Sequence, residues 1–195
     1  MSPPAGVFPP TYLRVPFELA GTAAARALPD SPGVTWRGVD DGQLLDLLTR
    51  TLQVSIDPRD EAEARRAGAP MAAARLIEDA RSGGVYESES GWWWILEVDG
   101  AGAGFVLPVV FTGCARGAAD EGTIYHLGVV PEQRGRGLGA LLLGRATDTL
   151  LNHGVWQISC DTAAGNTPMI RLFEQQGWTR RPEIEVVARG RPVGS

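Results

Sequence analysis

The sequence predicts an α/β fold, a sheet flanked by helices, and three stretches carry that prediction. Leu127 to Ala140 reads as a strand stopped by Pro131, then a loop of Arg and Gly, then the start of a helix. Leu44, Leu45, Leu47, Leu48 and Leu52 recur at helical spacing and form one apolar face. The apolar runs 92–98 and 103–111, joined by Asp99-Gly100-Ala101-Gly102, read as a tight hairpin. A chain of 195 residues suffices for one domain with some extra.

Residues 1–33 hold seven prolines among many Ala and Gly. Such a composition buries little, so they read as an N-terminal extension. Tyr12 to Val15 and Phe17 to Leu19 are the exception. They suit an edge strand, on this subunit or a second one, limited by Pro16. The first strand of the domain proper is then 34–39. Asp41 caps a helix over 42–53. Asp57-Pro58 opens another, with Pro58 at its first position and Asp60 and Glu61 in its first turn. Gly68 and Pro70 break it, and 71–81 resumes it until Ser82-Gly83-Gly84. In the hairpin, Trp92 and Trp94 share a face and Trp93 takes the other. Core packing accounts for them; a tryptophan lining a pocket is the alternative. A polar loop over 112–122 leads to a strand over 123–130. The helix 138–153 follows, with Leu138, Leu141, Leu142, Ala146 and Leu150 on one face and Gly154 at its end. A strand over 155–161, a helix from Asn166 to Gln176, and final strands at Trp178 and 183–187 complete the order.

Composition narrows the function classes. Hydrophobic residues make up 44% and charged residues 21%, values ordinary for a folded domain with a core. No apolar run is long enough to span a bilayer, so no membrane partner is expected. The start lacks the basic and apolar regions of a signal peptide, and Cys114 and Cys160 make no disulfide framework. A cytoplasmic protein is therefore expected. The net charge of −5 argues against a nucleic-acid partner. The balance is −6 over 34–100 and +1 over 101–195. An acidic first half suits a cationic acceptor, unless it is simply a set of solvated helix faces.

The Arg/Gly loop is an anion site by construction. Gly135, Gly137 and Gly139 let the backbone turn and leave its N–H groups bare. The helix after it directs its N-terminus and the positive end of its dipole at the same place. Arg134 and Arg136 add fork-shaped phosphate donors. A pyrophosphate is the natural occupant. A P-loop is excluded, because it needs a lysine and all 18 basic residues are Arg. Gly135, Gly137 and Ala140 match the dinucleotide spacing G-x-G-x-x-G/A. Four residues separate them from the strand, however, and only 55 follow Ala140.

Val129, Pro131, Arg134, Gly135, Gly137 and Gly139 spell V-x-P-x-x-R-G-x-G-x-G. That run resembles the acyl-CoA site of the GCN5-related N-acetyltransferase family. The order of elements over about 34–187 is also similar. The resemblance implies residues 34–190 as the domain and 191–195 as a tail. It implies a mixed, mostly antiparallel sheet in which two neighbouring parallel strands, ending at Val130 and Asp161, splay apart. It implies acetyl-CoA as cosubstrate, no metal, and an amine acceptor: a small molecule, a protein N-terminus or a side-chain amine. Dimers are common in the family, so a homodimer is left open.

The same resemblance assigns roles. The N–H of Val129 would face the acetyl oxygen, and Leu127 and Val130 would contact the pantetheine. Arg134, Gly135, Arg136, Gly137, Leu138, Gly139 and Ala140 would hold the pyrophosphate through backbone N–H groups. Asn166 would bond the pantetheine arm. The family places a Tyr seven residues after that Asn as the proton donor to the thiolate, then Gly-Phe; here Phe173, Gly177 and Trp178 stand there. Phe173 lines the cofactor without a proton to give. Strand alternation places Thr123, Tyr125, Leu127 and Val129 on one face, with His126 turned away as a core residue. Tyr125 is then a candidate acid or a packed ring. Thr123 stands where histone-acetylating members carry a base and cannot serve as one. Asp161 is the candidate base, or a cap for the loop to Asn166. A catalytically inactive CoA-binding module is the alternative function.

Overall fold

The computed structural model describes residues 11–23, 31–81, 84–89 and 91–187. The elements run in the order β1 (Thr11–Ala20), β2 (Val34–Gly38), α1 (Asp41–Leu52), α2 (Pro58–Ala67), α3 (Ala69–Arg81), β3 (Tyr86–Glu87), β4 (Trp94–Val98) and β5 (Ala101–Phe111). Then come β6 (Glu121–Val129), a single tight turn at Pro131–Gln133, α4 (Leu138–His153), β7 (Gln157–Ala163), α5 (Thr167–Gln175), β8 (Thr179–Arg180) and β9 (Ile184–Val187).

One sheet holds all nine strands in the order β2-β4-β5-β6-β7-β1-β8, with β3 beside β5 and β9 beside β1. Every pairing is antiparallel except β6 with β7. This is the expected mixed, mostly antiparallel sheet. The hairpin residues of β5 alternate between two apolar clusters. Phe105 and Leu107 pack with Leu44, Leu47 and Leu48 of α1 on one side. Ala103 and Val106 pack with Leu138, Leu141, Leu142 and Ala146 of α4 on the other. Helices therefore cover both faces and leave the strand ends for chemistry.

Caps set the helix starts. Asp40, one residue before the expected cap, accepts the N–H of Gln43 at 3.0 Å and begins α1. Asp57 accepts the N–H of Arg59 at 2.9 Å and begins α2, with Pro58 in the first turn. Gly68, at φ 82°, ends α2; Pro70 then lies in the first turn of α3 rather than breaking a helix. Residues 82, 83 and 191–195 lie outside the described residues.

The largest departure from expectation is at the N-terminal side. Residues 11–20 are not part of an extension or an edge. They form β1, which pairs with β7 from Arg14–Ala163 to Ala20–Gln157 and with β8 and β9 on its other side. Val15 and Phe17 are fully buried. Pro16 is tolerated although the strand has neighbours on both sides, and the domain begins before residue 34. Trp92 and Trp93 precede β4, and both are buried in the α1-side cluster. None of the three consecutive tryptophans lines the cavity described next.

Candidate active site

β6 and β7 pair only at Glu121–Gln157 and Gly122–Ile158. Beyond that point each is held by a different neighbour, β6 by β5 and β7 by β1, so the two part. The thiol of Cys160 occupies the fork: Ile124 N–H donates to its Sγ at 3.3 Å, and the Thr123 hydroxyl lies 3.7 Å away. A buried thiol can accept such a bond, and burial pushes its pKa up to about 12. The gap opens into a cavity of about 570 Å³. Leu127, Val129, Arg134, Gly139, Tyr125, Asp161, Asn166 and Phe173 all contribute to its wall.

Backbone direction along β6 is legible from one bond. Val130 N–H donates to Ala103 of β5 at 3.0 Å. Polar groups alternate sides along a strand, so the N–H and C=O of Val129 point away from β5 and toward the gap. The C=O accepts from Arg134 Nε at 3.1 Å. Val130 itself offers the cavity nothing, contrary to expectation. Its N–H goes to Ala103, its C=O accepts from Gln133 N–H, and its side chain is fully buried.

The loop after β6 is held open. Gly135 and Gly137 have φ of 77° and 78°, and a Cβ on either would meet nothing. Gly137 begins α4 with no side chain capping it, so the first N–H groups of the helix face the loop. Leu138 turns its side chain into the α4 cluster, so only its backbone can serve the loop. Ala140 N–H already donates to Gly137 C=O, and its own C=O accepts from Gln176, so its N–H is not free for an anion. Arg136 folds onto Gln133, and Glu132 pairs with Arg50 of α1. Asn166 caps α5 by accepting Met169 N–H at 3.3 Å.

On the other side of the gap the strand alternation fails. β6 carries a register shift where Leu107 pairs with His126 and Pro108 with Ile124, leaving Tyr125 as the extra residue. Tyr125 therefore does not share a face with Val129, which packs toward α4, while Leu127 touches both clusters. Tyr125 meets Tyr86 edge-on at 5.1 Å, on the same side as His126. Burial first, then the charge of Asp79 and the neighbouring Tyr86, hold its phenol well above the ordinary value, so it stays protonated. Phe173 is buried between Phe17 at 4.7 Å and Trp178 at 4.9 Å.

Asp161 is not free. Arg14 Nε pairs with its carboxylate, Arg14 Nη2 donates to its C=O at 3.3 Å, and Arg14 Nη1 pairs with Asp57 at 2.8 Å. Arg14 is 7% exposed. It ties β1, β7 and the cap of α2 together across the cavity wall. Sequence reasoning missed it and Asp57 as site residues. The available signal was one arginine inside the apolar run Tyr12-Leu13-Arg14-Val15, because a buried cation demands carboxylate partners.

The sheet opens at its parallel pair, and the gap meets an uncapped glycine loop at the tip of the next helix. The family model described as the Acetyltransferase (GNAT) family matches residues 56–178. A mycothiol acetyltransferase of Beutenbergia cavernae is 35% identical over 115 residues, covering 56% of this chain and 36% of the relative. The chain thus spans about a third of that relative's length. The GCN5-related N-acetyltransferase from Sphaerobacter thermophilus superposes with a TM-score of 0.62 at 16% identity, over 90% of this chain and 50% of that one. AAC(6')-Iy, solved with the bisubstrate analog CoA-S-monomethyl-acetylneamine, superposes with a TM-score of 0.54 at 16% identity, over 82% and 99%. The chain belongs to the GNAT acetyltransferase family.

Proposed function

We propose that this chain is an N-acetyltransferase that moves an acetyl group directly from acetyl-CoA to a small primary amine. The observation that carries it is the gap beside Val129, continuous with the uncapped tip of α4. Similarity to a mycothiol acetyltransferase and to an enzyme solved with a CoA conjugate supports the same reading. Backbone N–H groups from Gly135 to Gly139 hold the pyrophosphate, with Arg136 contributing as a position rather than a side chain. Asn166 keeps its amide NH₂ for the pantetheine arm while its oxygen caps α5. Val129 N–H receives the carbonyl oxygen of the thioester and stabilises the oxyanion as the amine attacks. The C–S bond then breaks and the thiolate gains a proton. Phe173 cannot give that proton; Tyr125, protonated at the wall, is the donor.

Val54, Ile56, Leu76, Tyr86 and Phe111 give the cavity an apolar stretch beside the polar Ser55, Asp57, Arg59 and Asp60, with the Tyr86 and Phe111 rings tilted and 5.3 Å apart. An amine carried on an aromatic or aliphatic body fits this wall better than a polyhydroxylated one. Calorimetry with acetyl-CoA and thiol release across phenethylamine, an alkylamine, a polyamine, glucosamine and an N-terminal peptide test the reading. Saturable heat with fastest turnover on the arylalkyl amine or alkylamine is expected. Absence of heat overturns it. Tight binding with no turnover on any amine leaves a CoA-binding module instead.

A further inference from the structure

Every carboxylate in the cavity wall has a partner, and one cation there has no carboxylate and no part in the steps above. Arg14 pairs with Asp57 and Asp161. His126 Nε2 lies 3.3 Å from Asp60 Oδ2, which also accepts from Ser55 Oγ at 2.8 Å. Arg134 donates to the Val129 C=O and belongs to the glycine loop already described. Arg59, in the first turn of α2, is an exposed residue of the same wall. Its Nε donates to the Tyr12 hydroxyl at 3.3 Å, a phenol rather than a carboxylate, and among the described residues it forms no ion pair. That bond leaves the four terminal N–H donors of the planar fork unspent. The guanidinium stays charged throughout the range in which proteins fold. Burial pushes the phenols of Tyr86 and Tyr125 up, and the Arg59 charge works against that shift at both. The charge therefore stands among Tyr12, Tyr86 and Tyr125. Tyr86 in turn meets Phe111, so the cation adjoins the apolar stretch of the cavity.

We propose that the acceptor carries a carboxylate as well as its amine: it is an apolar amino acid, its carboxylate docked on Arg59 and its side chain laid along Val54, Ile56, Leu76 and Phe111. This rests on the transferase reading and narrows its amine to a zwitterion. A guanidinium fork matches a carboxylate with two parallel N–H bonds, and such charge-assisted pairs are the strong ones. A bare amine enters as a cation and meets the Arg59 charge unscreened; the carboxylate of an amino acid turns that repulsion into attraction. The negative side of the wall suits the other end of a zwitterion. Arg14 neutralises only one of its two carboxylates, and Asp161 is the more exposed of them. Arg59 binds and orients the acceptor and takes no part in making or breaking bonds.

The test is kcat/KM with acetyl-CoA for two matched pairs of acceptors, phenylalanine with phenethylamine and leucine with isoamylamine, whose members differ by the carboxylate alone. Wild type, Arg59→Gln and Arg59→Lys are compared, with acetyl-CoA calorimetry and thermal melts alongside. Wild type should prefer the amino acid by about tenfold or more in at least one pair. Arg59→Gln should cut that ratio by about ten- to a hundredfold, the loss of one charge-assisted pair, chiefly through a raised KM for the amino acid. Arg59→Lys should fall between the two, because it keeps the charge and loses the fork. Amine reactivity within a pair is the same for all three proteins, so the change in ratio reads the contact at residue 59. A purely structural Arg59 would lower both members of a pair alike. An unchanged ratio in Arg59→Gln, or a smaller wild-type preference in both pairs, overturns the proposal alone. So does a loss of acetyl-CoA affinity in Arg59→Gln, which would give the guanidinium to the cofactor. No turnover by wild type on any amine or amino acid overturns the transferase reading and this acceptor with it. Should Arg59→Gln fail to fold, the wild-type and Arg59→Lys ratios decide.

Discussion

At the scale of single residues, Arg14 holds the site in shape. Its guanidinium is surrounded by Asp57 and Asp161, whose side chains are 16% and 44% exposed. Arg14→Gln leaves two carboxylates facing each other without a cation. The expected loss is about 2–3 kcal/mol, below the roughly 3–5 kcal/mol of a fully buried pair because Asp161 is partly solvated. Urea denaturation measures it; a loss under about 0.5 kcal/mol would mean the pair is a solvated surface contact. Tyr125 shows how far residue-level reading goes. Its presence in the wall follows from the strand, but its face does not, because one extra residue in β6 reverses the alternation.

At the scale of elements, the strand, loop and helix from Glu121 to His153 form the unit that carries the proposed cofactor site. The loop works through backbone, so its glycines matter for shape and not for contacts. Gly137 sits at φ 78° with open space where a Cβ would go. Gly137→Val should therefore cost only the left-handed strain of about 1–2 kcal/mol in stability. It should weaken acetyl-CoA binding by more than about tenfold, because the new side chain stands at the helix tip proposed to hold the diphosphate. Calorimetry and a thermal melt separate the two effects; intact affinity would place the diphosphate elsewhere. This unit was almost fully legible beforehand, since proline, glycine spacing and an apolar helix face act over a few neighbouring residues. Val130, Ala140 and Tyr125 were the exceptions: the burial of Val130 depends on β5, the Ala140 N–H is taken by Gly137, and an extra residue in β6 turns Tyr125.

At the scale of the whole molecule, the fold couples the site to pH through His126 and Asp60. His126 is raised above its ordinary 6.5. Its stabilisation is fully present below about 6.5 and is lost as pH rises through the raised value. Asp60 is lowered below its ordinary 3.8, by His126 and Ser55 acting against burial. Its stabilisation is present above about 3.8 and is lost as pH falls through the lowered value. Thermal melts from pH 5 to pH 9 should show wild type losing stability on the alkaline side. His126→Gln should show a flatter alkaline side; equal slopes would mean that the pair is not coupled in the folded protein.

The sequence by itself determined the α/β class, the helix caps at Asp57 and Asn166, and the glycine loop after Pro131. Each depends on local backbone chemistry, which neighbouring residues dictate. Only the tertiary structure decided that residues 11–20 lie inside the sheet, that Arg14 reaches Asp57 and Asp161, and that Tyr125 joins His126 on one side. Those depend on pairings between residues as far apart as Thr11 and Val187, and no local periodicity records which distant partner a strand or a buried charge will find.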